Sequence, residues 1–387
     1  MNEESSRRRF LIAGIGAPAV LTAMPQKLPP KPDGLPELIA NQKLEYRVLG
    51  KTGLKVTRVA FGTMITSDPT VIQRAADLGV NYFDTARVYQ NGNCERMVGA
   101  ALKGRRDRVF ISTKTGAGTK EQALADLDTS LKELATDHVD IWYLHGKSKP
   151  DQLKDELMEA QQIARRAGKI RFAGVSTHGG QAELMPAIVA HKDHFDVVLT
   201  AYNYFMETTI EEPIRQAADA GLGIVAMKVM AGGKRASAPK TKEILGHEGA
   251  SLAALKWVLR NLRVDTAIPS MTDMDQLDEN LKAMWQPLSP IDEKVLQARA
   301  AGIRESYCNM CGACEGQCTH GLAVADMLRF YMYSDGYGQF SLGRDHFRAL
   351  PAQMRDVRCG DCPECTVQCP RGVHVQARLS RAQECFA

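Results

Sequence analysis

Between Tyr46 and Trp285 short β-rich runs alternate with amphipathic helical segments, and this alternation constrains the fold more than any other feature of the chain. The runs extend from Val59 to Phe61, Asn81 to Phe83, Val109 to Ile111, Val139 to Trp142, Arg171 to Gly174, Val197 to Leu199, Gly223 to Ala226 and Thr266 to Ile268. Segments such as EQALADLDTSLKELA and DELMEAQQIARRAG lie between them, with apolar residues at three- and four-residue steps. Eight such units over about 240 residues have the size of a closed (β/α)8 TIM barrel. An open doubly wound sheet usually carries G-x-G-x-x-G after its first strand, and Phe61-Gly62-Thr63-Met64 has nothing of that kind. Ahead of the first strand, YRVLGKTGLKV reads as a hairpin turning at Lys51-Thr52-Gly53.

In such barrels the chemistry sits at the C-terminal ends of the strands. The second run ends in Asp84, with Tyr89 five residues on; the third leads to Lys114 and the fourth to His145. Neighbouring strands thus aim four ionisable side chains at one rim. No G-x-S-x-G, H-E-x-x-H or paired-carboxylate pattern suggests a hydrolase instead.

The order D-x-A-x-x-Y, then Lys after the third strand and His after the fourth, resembles the aldo/keto reductase family. The likeness runs from Tyr46 to about Trp285 and includes LGKTGLKV, Cys94-Glu95, GVS at 174–176, Tyr202-Asn203 and Glu279-Asn280. It implies an oxidoreductase that exchanges hydride between a nicotinamide cofactor and a small carbonyl or alcohol. Tyr89 is then the acid/base, Lys114 the ammonium that tunes it, Asp84 the anchor of Lys114, and His145 the residue that orients the carbonyl. The same likeness marks Ser176, Asn203, Ser270, Glu279 and Asn280 as cofactor-binding. Several positions depart from the family pattern. Thr177 and Leu199 replace residues whose amides grip the carboxamide, Met227 replaces the aromatic that stacks on the nicotinamide, and Ser270 and Gln276 stand where NADPH-dependent members place Lys and Arg. A 2′-phosphate needs a cation. The cofactor expected is therefore NAD(H) or NADP(H), with NAD(H) preferred.

Eight of the ten cysteines fall into two strings after the barrel: Cys308, Cys311, Cys314 and Cys318, then Cys359, Cys362, Cys365 and Cys369 followed by Pro370. A disulfide framework spreads cysteines along a fold; these are packed at two- and three-residue gaps. Zinc needs four ligands and has no use for two complete C-x2-C-x2-C-x3-C strings. The spacing resembles that of bacterial ferredoxins and implies two 4Fe-4S clusters. In that pattern the fourth cysteine of each string serves the other cluster, so Cys369 joins Cys308, Cys311 and Cys314, and Cys318 joins Cys359, Cys362 and Cys365. Thr319 replaces the usual Pro, and the long insert between the strings, with ADMLRFYMYS, reads helical. Residues 291–387 are thus expected to form a small, mainly helical ferredoxin-like dicluster domain behind a barrel at 45–290. The clusters point to an electron-transfer partner protein. The alternative function is that of an electron carrier whose barrel is a catalytically degenerate scaffold.

The N-terminus reads Ser6-Arg7-Arg8-Arg9-Phe10-Leu11 and then IAGIGAPAVLTAM, which resembles a twin-arginine export signal at 1–24. It implies recognition by the twin-arginine machinery, a periplasmic or otherwise exported protein, and no stable membrane span after cleavage. A Pro-rich linker is expected at 25–44. The net charge is +4, and no basic stripe interleaved with aromatics suggests nucleic acid.

Overall fold

Eight parallel strands, counted among the described residues, follow one another around a single sheet: β1 (Phe61–Gly62), β2 (Tyr82–Asp84), β3 (Phe110–Thr115), β4 (Val139–Leu144), β5 (Ile170–Thr177), β6 (Val197–Ala201), β7 (Gly223–Met227) and β8 (Thr266–Ala267). The computed structural model describes residues 43–206, 210–232 and 249–386; the expected export signal, and the expected linker up to residue 42, lie outside them. Parallel bridges Val59–Ala267 and Gly62–Ser270 join the first and last strands and close the barrel. Each run read from the sequence overlaps one of these strands. β3, β4 and β5 continue beyond their apolar runs, because ladder partners carry the backbone on: Tyr143 for Lys114, Thr115 and Val175 for Leu144, and Leu199 for Ser176.

Side chains along the strands divide with period two. Tyr82, Ile141, Tyr143, Val197, Leu199 and Val225 fill the barrel interior. Phe83, Trp142, Leu144, Val198 and Ile224 face outward against the helices. These helices are α1 (Pro69–Leu78), α2 (Asn93–Ala101), α3 (Lys120–Leu134), α4 (Asp155–Arg166), α5 (Gln181–Ala190), α6 (Glu211–Asp219), α7 (Ala250–Leu259) and α8 (Met274–Leu281). Helix α1 starts where it does because the Asp68 carboxylate accepts the Thr70 N–H at 2.8 Å and Pro69 occupies the first turn. Gly174 is required by close approach: a Cβ there would stand 2.5 Å from the Tyr143 ring.

The bottom of the barrel is plugged and latched. The hairpin Tyr46–Val48 with Lys55–Thr57 brings Leu49, Leu54 and Val56 into the interior cluster. Three carboxylates then tie the even-numbered strands to the odd-numbered ones before them. Asp140 accepts the Ile111 N–H at 2.9 Å, Asp196 the Ala173 N–H at 2.9 Å, and Asp265 the Ile224 N–H at 2.9 Å. Asp265 also accepts from Gly50 N–H at 3.2 Å and so fixes the hairpin.

After the barrel come α9 (Pro290–Ile303), α10 (Val324–Asp335), α11 (Phe340–Ala349) and α12 (Val375–Phe386). Ser289 opens α9 with a reciprocal cap, its hydroxyl accepting the Asp292 N–H at 3.2 Å while Asp292 accepts the Ser289 N–H at 2.8 Å. The segment that reads helical in ADMLRFYMYS lies in α10. Helices α10 to α12 share one apolar cluster with Ala231 from the barrel. No helix among the described residues is long and apolar enough to cross a membrane.

Burial raises the Asp265 carboxyl to about 6, against the two backbone N–H bonds that favour its charge. A carboxyl whose folded value lies above its unfolded value of about 3.9 stabilises the fold most in the protonated form, and that contribution is lost as pH rises from about 4 to about 6. Asp265→Asn removes this titration. In urea unfolding the variant's stability relative to the unaltered chain should therefore rise by about 2–3 kcal/mol between pH 4 and pH 7; a difference that does not change with pH would contradict the assignment.

Candidate functional site

The ends of β2, β3 and β4 meet around a buried ion pair. Lys114 Nζ donates to Asp84 Oδ2 at 2.5 Å and to the Thr85 carbonyl at 2.6 Å. Ser112 donates to Asp84 Oδ1 at 2.6 Å and in turn accepts from the Tyr82 hydroxyl at 2.9 Å, which lies 3.0 Å from the Tyr143 hydroxyl. Asp84 and Lys114 are 2% and 1% exposed, so their charges have no water to lean on. Burial pushes the carboxyl up and the ammonium down, and the attraction between them opposes both shifts.

Tyr89 begins a tight turn in which Gln90 and Asn91 take left-handed backbone angles, φ 48 and 53. Gln90 Nε2 holds the turn down by donating to the Thr66 carbonyl at 2.9 Å. Cys94 and Glu95 anchor its far side: the Cys94 thiol donates to the Thr63 carbonyl, and Glu95 accepts from Thr113 at 2.6 Å and pairs with Arg87. The Lys114 ammonium comes 4.9 Å from the centroid of the Tyr89 ring. The Tyr89 hydroxyl is nonetheless held well above the usual tyrosine value, by burial first and then by the charge of Asp84. Arg329, from α10, is the cation that pulls it back. His145 meets the Tyr89 ring edge-on at 5.9 Å, and burial together with Lys114 and Arg329 holds it well below the usual histidine value. At neutral pH the rim therefore presents a protonated phenol and an uncharged imidazole.

A cavity of about 450 Å³ opens beside this group. Tyr89 and Asp84 line it, as do Met227, Ser270, Gln276 and Asn280, and Gly336 to Gln339 wall it from the C-terminal helices. Of the five residues marked as cofactor-binding, Ser270 and Asn280 reach the cavity surface. Ser176 is buried and accepts the Gly146 N–H at 2.9 Å, latching the ends of β4 and β5. Asn203 spends its amide on the Lys228 carbonyl at 3.0 Å and the Tyr307 hydroxyl at 3.3 Å. Glu279 does not line the cavity among its described walls. Gln276 bonds Thr272 at 2.7 Å, and among the described residues the only lysine or arginine that lines the cavity is Lys228. Leu199 lies in the apolar interior. The strand-end reading missed His178, Lys228, Tyr333, Tyr337 and Arg329. Lys228 directly follows β7, where the strand-end pattern could have found it; the others come from a loop, from α10 and from the turn after it, whose approach to the rim leaves no local periodic signal.

The cysteines form two groups. Cys308, Cys311, Cys314 and Cys369 line one small cavity, closed by Leu328, Val373 and Val375. Burial pushes the Cys308 thiol up to about 12, and Cys314, Cys311 and Cys369 add to the shift. Burial likewise raises Cys359 to about 11, with Cys318, Cys362 and Cys365 contributing. Each group thus draws its fourth member from the other string. None of the ten cysteines forms a disulfide, and among the described residues no three His, Cys, Asp or Glu side chains stand as a group around one metal ion.

Against known proteins, the profile of the Aldo/keto reductase family matches residues 66–298 and so stops ahead of Cys308. The chain is similar to the uncharacterised oxidoreductase YrpG of Bacillus subtilis, 28% identical over 62% of this chain and 91% of that one. It is similar to L-galactose dehydrogenase of Arabidopsis thaliana, 26% identical over 63% and 89% respectively. Among solved structures it resembles an aldo-keto reductase from Bacillus halodurans in its holo form, with a TM-score of 0.56, 26% identity, and 66% of this chain and 96% of that one covered.

Removing one member of the buried pair strands the other charge. Lys114→Met should cost about 3–5 kcal/mol in urea unfolding, and adding Asp84→Asn to it should restore a large part of that loss. Purely additive losses would mean that the two charges do not depend on each other.

Proposed function

Since the chain belongs to the aldo/keto reductase family, we propose that it exchanges hydride between NAD(H) and a small carbonyl or alcohol, and that its C-terminal cysteines hold two 4Fe-4S clusters for electron transfer. The observation that carries the reading is the gathering of Tyr89, the Lys114–Asp84 pair and His145 at neighbouring strand ends, with Tyr89 and Asp84 on the wall of one cavity.

When bound, the nicotinamide supplies or takes the hydride. The residues divide the remaining work. Tyr89, protonated at neutral pH, delivers a proton to the carbonyl oxygen or recovers it from the alcohol. Lys114, pinned by Asp84 and the Thr85 carbonyl, keeps positive charge beneath the Tyr89 ring, where it offsets negative charge developing on the phenol oxygen. His145, uncharged, donates a hydrogen bond to the carbonyl and fixes its direction. The preference for NAD(H) rests on Ser270 and Gln276, which offer a 2′-phosphate no cation of their own.

The cysteine groups fit clusters better than a single ion. In a four-iron cluster each thiolate binds its own iron, so the ligands stand around a volume instead of converging on a point. The cavity lined by Cys308, Cys311, Cys314 and Cys369 has that form. When present, each cluster passes one electron at a time to or from a partner protein. Export by the twin-arginine route belongs to the same proposal and rests on residues 6–24.

Purified anaerobically, the chain should carry about eight iron and eight sulfide, and NADH should bleach its iron–sulfur absorbance, with about one NADH filling two clusters. Bleaching by dithionite but not by NADH would instead favour an electron carrier with a degenerate barrel. Absence of iron from protein matured in an iron–sulfur-competent host would overturn the cluster reading.

A further inference from the structure

We infer that Lys228, at the end of β7, forms an anion site inside the cavity that takes the carboxylate or phosphate of a short carbonyl substrate. The inference rests on the reductase reading of that cavity and goes beyond it by naming the substrate class.

Lys228 is held in a left-handed backbone conformation, φ 58, which a lysine disfavours. The Asn203 amide and the Ala231 N–H both donate to its carbonyl, at 3.0 and 3.2 Å, and keep it there. The side chain lines the same cavity as Tyr89. Its ammonium stands 4.6 Å from the centroid of the Tyr333 ring and 5.1 Å from that of Tyr337, so two aromatic faces fix its position.

Among the described residues no carboxylate pairs with the ammonium. Asp84 is taken by Lys114 at 2.5 Å and Asp326 by Arg329 at 2.6 Å. The groups facing it from the other elements are basic or phenolic: His178 beyond β5, Arg329 and Tyr333 on α10, Tyr337 after it, and His346 on α11. His178 lines the cavity too, and its Nδ1 is buried with no hydrogen-bond partner. Burial and the charge of Arg329 hold Lys228 down to about 7. An anion entering here gives the ammonium a counter-charge that no other described residue supplies, and His178 an acceptor.

The position selects the substrate over the dinucleotide. His178 lies 6.3 Å from His145, which lies 5.9 Å from Tyr89, so the Lys228–His178 group borders the residues assigned to the carbonyl. The wall bearing Ser270, Gln276 and Asn280 offers uncharged partners to the remainder of a dinucleotide.

The test uses the purified full chain. Succinate and inorganic phosphate, with 1,4-butanediol as the uncharged control, are titrated calorimetrically in two buffers of different ionisation enthalpy. The expected result is binding of the anions alone, with proton uptake above pH 7 and affinity falling about tenfold per pH unit there, because the free lysine must first regain its proton. Lys228→Met should weaken the anions at least tenfold and abolish the uptake, and Lys228→Arg should bind them without uptake. Anion binding that survives Lys228→Met, or no anion binding at all, overturns the proposal. So does loss of NADH binding by the same factor in Lys228→Met, which would assign the lysine to the dinucleotide. In steady state, the ratio of KM for succinic semialdehyde to that for butanal should rise at least tenfold in Lys228→Met, and an unchanged ratio counts against a substrate role. If neither aldehyde is reduced, it is the reductase reading that fails for this substrate class; the calorimetry then supports or overturns the anion site by itself.

Discussion

The Lys114–Asp84 pair is the constraint around which the rim is arranged. Two charges sit at full burial, and neither is stable there without the other. The surroundings are therefore specified closely: Ser112 must serve Asp84, Thr85 must turn its carbonyl inward, and Tyr82 must reach Ser112. Gly174 in turn leaves room for Tyr143, the partner of Tyr82. A carboxylate–ammonium contact on two neighbouring strands thus determines residues on β2 through β5. Closure of the barrel from below, through Asp140, Asp196 and Asp265, keeps those strands in register.

The second determinant comes from outside the barrel. Arg329 on α10 is the cation that lowers Tyr89, Tyr337 walls the cavity, and Tyr333 and Tyr337 flank Lys228. A barrel alone would leave the rim open to water, where charges act weakly across a high dielectric. Covering it with aromatic side chains strengthens every charge inside, favourable or not. This is why His145 and His178 are both driven to the neutral form.

Much of this was legible in the sequence, and the part that was not has a common cause. Asp84, Lys114 and His145 could be placed because each ends an apolar run whose period fixes where the next side chain points. The helical reading of the stretch between the cysteine strings had the same basis. Lys228 also directly follows a strand, but neither its partners nor the places of His178 and Arg329 could be read that way. Their roles depend on α10 lying against the end of β7, a contact made across roughly a hundred residues of chain with no local pattern to announce it. Spacing likewise brings Lys114 near Tyr89 but does not say whether the ammonium meets the hydroxyl or the ring face. In the structure it meets the ring, and burial governs the phenol. Ser176 and Asn203 show a further limit. Their side chains suit a cofactor amide, but where each one's hydrogen bonds go depends on the neighbouring backbone, and here both are engaged by the protein itself.

The helices that wall the cavity are also those that pack the cysteines. One apolar cluster contains Tyr331 and Phe330 of α10, Phe386 of α12 and Cys359, and Cys308, Cys314, Cys318, Cys365 and Cys369 pack against its edge. Gly336, next to the cavity wall, approaches the barrel so closely that a Cβ would stand 2.3 Å from the Gly232 carbonyl. On the other flank, Met310, within the first cysteine string, presses on Gly179 in the loop that bears His178. A small core of this kind has little stability to spare. Whatever fixes the cysteines therefore also fixes the position of α10, and through α10 the placement of Arg329, Tyr333 and Tyr337. The cysteine groups and the strand-end rim are in this sense one structural unit, because a change in the packing around the cysteines reaches the electrostatics of Tyr89 without any residue in between having to change its chemistry.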